Sequence, residues 1–145
     1  MFKHILLPTD GSDLSLRAAK LGIELASTCG ARVYVLHVVA PFHTISYVAE
    51  MLAATEAIYT QEATKHASQY VADVRRMAEA AGVECSTHYV TDDHPHEAIV
   101  RAAHEQHCDL VVMASHGWRG ITRLLLGSEV HKVLLESEIP VLVCR

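Results

Sequence analysis

Five short apolar runs alternate with stretches of helical spacing, and this alternation most narrows how the chain can fold. The runs cover residues 3–8, 32–39, 83–90, 109–114 and 140–144. Most are apolar at successive positions, as in strands buried on both faces, while 83–90 is weaker and alternates Val83, Cys85, Thr87 and Tyr89. Between the first two, Leu14, Ala18, Leu21 and Leu25 recur at helical spacing, with Ser12 or Asp13 as cap and Cys29-Gly30 as stop. A helix-favouring stretch at 47–81 carries a stripe of Tyr70, Val74, Met77 and Ala81, and Gly82 closes it. Its first part, 47–57, reads as a separate short helix or a flap. Pro95 suits a first helical turn, followed by Ile99, Ala102, Ala103 and Gln106. Residues 115–127 form a long connection with some helix at 122–126. A last helix at 128–137 turns Val130, Val133 and Leu134 inward.

This β-α-β-α-β-α-β-α-β order predicts one α/β domain over residues 1–145, an open five-stranded parallel sheet with helices on both faces and right-handed crossovers. Such sheets bind ligands beyond the carboxyl ends of their strands, where the strand order reverses. The last run, from Pro140 to Cys144, falls at a sheet edge. An apolar edge left open is an aggregation template, so pairing with a second copy about a two-fold axis is expected.

Composition removes several functions. The formal net charge is -5 and the 12 Lys and Arg are scattered, which argues against non-specific nucleic-acid binding. An anion must therefore be held by backbone N–H groups. No apolar run approaches the roughly 18 residues of a membrane span, and no secretion signal is visible, so the expected location is the cytoplasm. Cys29, Cys85, Cys108 and Cys144 form no C-x-x-C pair and read as reduced thiols.

The chemistry gathers after the fourth run, at Met113-Ala114-Ser115-His116-Gly117, and at Gly127-Ser128, where a helix begins. Glycine lets backbone approach a phosphate, and a helix start offers free N–H groups with partial positive charge. Taken alone, these are loop glycines and a helix cap. The long, partly apolar excursion between them favours a site, as does Pro8-Thr9-Asp10-Gly11 at the same sheet edge. Asp10 suits ribose hydroxyls, or the capping of the first helix, or both. Ser115 and His116 read as pointing apart, with no third group to form a triad, and neither G-x-S-x-G nor a P-loop occurs. His94 with His96, and His104 with His107, read as solvated polar residues without the partners of a zinc motif.

The opening ILLPTDGS, the VLHVV run, the HPHEAIV helix start and the VVMASHG…LLLGS…IPVLVCR ending resemble the universal stress protein family over the whole chain. The ATP-binding branch of that family carries G-x2-G-x9-G-[ST]. Gly117, Gly127 and Ser128 match it, while Ala114 stands where the first glycine belongs and its methyl is expected to crowd a ribose or α-phosphate. The resemblance implies a Rossmann-like fold of the adenine nucleotide α hydrolase-like type, with strand order 3-2-1-4-5. It implies ATP, or ADP or AMP, with Mg²⁺ carried on the phosphates. Pro8, Thr9 and Asp10 would form a wall and ribose contact, and the Val38 backbone would pair with adenine. Met113 and Ala114 would lie beneath the ribose. Gly117, Gly127, Ser128 and the N–H of Glu129 would cradle phosphate, although an inward Glu129 carboxylate would repel it. Asp93 would add negative charge nearby. The implied role is a nucleotide-responsive stress-response protein that forms a homodimer and acts on an unidentified regulatory partner. A weak ATPase and a dimeric interaction module with an empty site are the alternatives.

Overall fold

A computed structural model describes residues 1–43, 49–118 and 125–145. Nine elements follow in order: β1 (His4–Pro8), α1 (Asp13–Cys29), β2 (Arg32–Val39), α2 (Ala49–Ala80), β3 (Cys85–Thr91), α3 (Pro95–Glu105), β4 (Leu110–Ala114), α4 (Ser128–Glu136) and β5 (Val141–Cys144). The strands form one parallel sheet in the order β3-β2-β1-β4-β5, as the resemblance implied.

Alternation of side chains along each strand divides the core in two. Ile5, Leu7, Val33, Val35, Leu110 and Val112 face α1 and α2, meeting Ile23, Ala26, Val71 and Val74. Leu6, Leu36, Val111 and Met113 face α3 and α4, meeting Ile99, Ala103, Val130 and Val133. β1 lies in the middle of the sheet, and Ile5, Leu6 and Leu7 are wholly buried. Both edge strands are only partly covered.

The helices start and stop where local chemistry requires. Ser12 caps α1 by accepting the Ser15 N–H at 3.2 Å. Gly30 ends it in the left-handed region at φ 66°, its N–H donating to the Ala26 and Ser27 carbonyls. The inward faces follow the expected spacing in part: Leu14, Ala18, Val74, Ile99, Ala102, Ala103, Val130 and Val133 are buried, but other expected positions are not. In α1 the buried stripe includes Ala18, Ala19, Gly22, Ile23 and Ala26, while Leu21 is 43% exposed. The helix lies so close to the sheet that small side chains form the contact, and a Cβ on Gly22 would overlap Leu7 Cδ2. In α2 the stripe is Ala67, Val71, Val74 and Ala78, one position round from Tyr70, Met77 and Ala81. In α4, Val130 and Val133 are inward but Leu134 is largely exposed.

From Ala49 onward α2 is one continuous helix, so no break separates its first turns, and the part of that expectation on residue 47 lies outside the described residues. The helix expected at 122–126 likewise falls mainly outside them. Among the described residues, no helix is long and apolar enough to cross a membrane. All four cysteines are free. Burial pushes the Cys108 thiol up to about 11 and raises Cys85 and Cys144, so these thiols stay protonated at neutral pH.

Gly22→Ala tests the close approach of α1. Overpacking of ~1–3 kcal/mol should outweigh the gain of up to ~1 kcal/mol from replacing a helical glycine, for a net loss of about 1–2 kcal/mol in urea unfolding. An unchanged midpoint would show that Leu7 yields at no cost.

Candidate functional site

β1 and β4 pair only through Ile5–Leu110 and Leu6–Val111 before they part. Beyond that point β1 leads into α1 on one face, whereas β4 has arrived from α3 on the other. The strand order reverses here, and a cleft opens at the carboxyl ends of the strands. Its inner hollow, about 230 Å³, is mostly carbon and lies among Pro8, Leu36, Val38, Ile99 and Met113. An outer hollow of about 380 Å³ adjoins it between Trp118, Gly127 and Ser128. Asp10, His116, Gly117, Glu129 and Val130 border both. Among the described residues that line either hollow there is no lysine or arginine.

Asp10 joins the two sides. Its Oδ1 accepts from the Ser12 N–H at 3.0 Å and from the Ser12 hydroxyl, which supports the α1 cap. Its Oδ2 accepts the Trp118 amide at 3.2 Å, and its carbonyl accepts the indole Nε1–H at 2.6 Å. A Cβ on Gly117 would overlap Asp10 Oδ2. In this structure, then, the glycine at 117 admits a carboxylate of the chain itself. Gly11, at φ 78°, is covered by the Tyr70 ring, which leaves no room for a side chain there.

Thr9 is buried. Its hydroxyl lies 3.2 Å from Ser15 Oγ, and its carbonyl accepts the His37 Nδ1–H at 2.8 Å. Burial lowers the His37 pKa, outweighing the opposing effects of the Thr9 bond and the Asp10 charge, so the ring is neutral at pH 7 with Nε2 an acceptor. Leu36 O accepts from Thr9 N at 2.9 Å. Two residues on, the Val38 N–H and C=O point to that same side, past the end of β1. Met113 packs toward α3 and α4, whereas Ala114 packs with Leu14 and Ala18 beneath α1 while also bordering the cleft.

At the outer end, Gly127 N–H donates to Ser115 O at 2.7 Å, so this amide is already used. A Cβ on Gly127 would lie 3.2 Å from that oxygen and 3.3 Å from His116 Cα. Gly127, rather than Ser128, is the N-cap of α4. His131 is the donor to Gly127 O, so the N–H groups of Ser128, Glu129 and Val130 have no acceptor within the helix. Glu129 turns toward α3, where its Oε2 accepts from both N–H and Nδ1–H of His96, each at 2.9 Å. Burial works to raise the Glu129 carboxyl, but the bonds from His96 and Lys132 outweigh it and hold it below its ordinary value.

Several expectations change. Ser115 and His116 do not point apart: past the end of β4 the strand alternation lapses, and Ser115 Oγ shares a hydrogen bond with His116 Nδ1 at 3.1 Å. Asp93 pairs with His43 and does not line the cleft. His96 is no solvated residue but is buried between α3 and α4. His37 and Ser15 join the site without having been singled out, and Trp118 borders its outer hollow. A histidine inside the apolar run at 32–39 was the available signal for the first, and nothing in the sequence marked Ser15. Among the described residues, no group of three or more His, Cys, Asp or Glu is arranged to hold a metal.

The whole chain, residues 1–145, matches the profile of the universal stress protein family. It is 36% identical over 146 residues to a universal stress protein encoded in the QAH/OAS sulfhydrylase 3' region of Thermus aquaticus, covering all of both chains. It is 34% identical to universal stress protein MJ0531 of Methanocaldococcus jannaschii, covering all of this chain and 83% of the relative. Among solved structures, MJ0577 of the same archaeon superposes with a TM-score of 0.82 at 28% identity, over 99% of this chain and 96% of that one. A universal stress protein in complex with cAMP gives 0.74 at 27% identity, over 99% and 97%.

Gly117→Ala should push Asp10 Oδ2 away from the Trp118 amide and cost about 1 kcal/mol, the usual size of one lost hydrogen bond. Because Trp118 is the single tryptophan, its emission reports the break directly. An unaltered spectrum would show that the loop does not depend on Asp10.

Proposed function

Because the chain belongs to the universal stress protein family, we propose that it binds an adenine nucleotide across the β1–β4 cleft and acts as a nucleotide-responsive regulatory protein. One observation carries this reading: a carbon-lined hollow opens directly onto the N–H groups at the start of α4, which have no acceptor among the described residues. A flat, largely apolar base suits the inner hollow, with the Val38 backbone at its side. A phosphate suits the outer hollow, where helix-terminal amides supply the positive potential that side chains do not. The similar structure in complex with cAMP supports an adenine nucleotide. A divalent cation finds no seat made by protein alone among the described residues. It would arrive on the phosphates of ATP or ADP, with Asp10 and Glu129 among the residues that border the outer hollow.

Asp10 couples occupancy to shape. A ribose hydroxyl reaching Asp10 Oδ2 competes with the Trp118 amide that now occupies it. Binding would thus loosen the loop after β4, and the emission of Trp118 would follow it.

We expect adenosine, AMP, ADP and ATP, but not GTP, to raise the melting temperature by several degrees at concentrations well above Kd. Gly127→Val and Asp10→Ala should abolish the rise. Absence of both a melting shift and a calorimetric signal with well-folded wild-type protein would overturn the nucleotide reading.

We also propose a homodimer through β5. That strand is bonded to β4 on one side only, and Leu135 (73% exposed) and Leu142 (39% exposed) leave apolar surface open around it. Leu142→Lys should convert dimer to monomer in sedimentation velocity. A wild-type monomer, or a variant that remains dimeric, counts against this interface.

A further inference from the structure

His96 is the most enclosed charged-type side chain between α3 and α4, at 6% exposure, and both of its ring nitrogens face carboxylates. Nδ1–H donates to Glu129 Oε2 at 2.9 Å, and the backbone N–H of the same residue donates to that same oxygen at 2.9 Å. Nε2 lies 3.5 Å from Glu136 Oε1 and 3.8 Å from Glu97 Oε1. The other oxygen of Glu129 meets Lys132 Nζ at 3.3 Å. A single buried ring therefore stitches the first turn of α3 to both ends of α4.

The position of Glu129 makes this stitch consequential. It is the second residue of α4 and borders both hollows of the cleft. Side chains on a helix lean back toward its amino end, and a carboxylate there is drawn to the free N–H groups and the positive end of the dipole. Left alone, the Glu129 carboxylate would cover the amides of Ser128, Glu129 and Val130, filling the anion seat with a charge of its own. In the structure it is instead carried sideways onto the amino end of α3.

We propose that His96 is a positioning residue for the anion end of the cleft: it holds Glu129 on α3 and so keeps the amino end of α4 open for the phosphate of a ligand. This inference rests on the nucleotide reading above. It adds that one buried histidine, remote from the adenine and the ribose, sets how strongly the site discriminates by phosphate charge. Without the imidazole, Glu129 keeps only the backbone N–H of residue 96 and Lys132; freer to turn, it competes for the same donors and repels what approaches them, and the repulsion grows with each charge on the ligand.

The test is calorimetric titration of adenosine, AMP and ATP into four proteins: wild type, His96→Ala, His96→Asn, and His96→Ala combined with Glu129→Gln. In His96→Ala, affinity should fall about tenfold for ATP and about threefold for AMP, with adenosine unchanged, as expected of one screened charge acting on ligands of rising charge. His96→Asn, which keeps a side-chain donor near the Nδ1 position, should stay within about twofold of wild type. Removing the charge in the double variant should restore ATP binding. An equal loss for adenosine and ATP, no loss for either, or a loss that persists in the double variant would overturn the positioning role while leaving nucleotide binding intact. If wild type binds none of the three, the nucleotide reading fails, and this inference with it.

Discussion

The pairing of β1 with β4 through the middle of the sheet is the constraint on which the rest depends. Both strands are buried on two faces, so helices must cover both sides, and the connections leaving them must run to opposite faces. Those connections cannot cross the carboxyl edge where the strands diverge. The cleft follows from topology before any side chain in it is considered, and its inner wall is apolar because it continues the hydrophobic core on the α3–α4 side.

Electrostatics sets the character of the outer end. Two acidic residues border it, and among the described lining residues no lysine or arginine balances them. Each carboxylate is held by hydrogen bonds that direct its charge: Asp10 by Ser12 and the Trp118 amide, Glu129 by His96 and Lys132. What remains for an anion is the first turn of α4, where three amides lack intrahelical acceptors. Glycine serves this arrangement in two ways. At 117 it makes room for Asp10, and at 127 it lets the α4 start pack against the Ser115 carbonyl.

The strands and caps were legible because they rest on local chemistry. Consecutive apolar residues such as Ile5-Leu6-Leu7 permit only a two-faced burial, and Ser12, Gly30 and Gly82 act on their own backbone neighbours. The helix faces were less legible. Spacing pointed to Leu21 and Tyr70, yet Gly22 and Val71 face the sheet or its core, because the separation of helix from sheet decides which side chains fit and spacing alone does not contain it. Tyr70 lies on the flank instead, with its ring over Gly11 and edge-on to His37 at 5.2 Å. His96 was hidden for a similar reason: in the sequence it is one of eleven histidines, and only the packing of α3 on α4 brings Glu129 and Glu136 to it.

By itself the sequence determined the parallel α/β architecture, the family, and the stretches 8–10, 113–117 and 127–128 that meet at the carboxyl edge of the sheet. Burial pattern, capping and motif spacing all act over a few residues, so they can be read along the chain. Only the tertiary structure decided which way Asp10 and Glu129 turn, that Gly127 N–H is bonded to the Ser115 carbonyl, and that Ala114 packs beneath α1. Those outcomes depend on partners 33 and 108 residues away along the chain, and contacts across such separations arise only when the helices dock on the sheet.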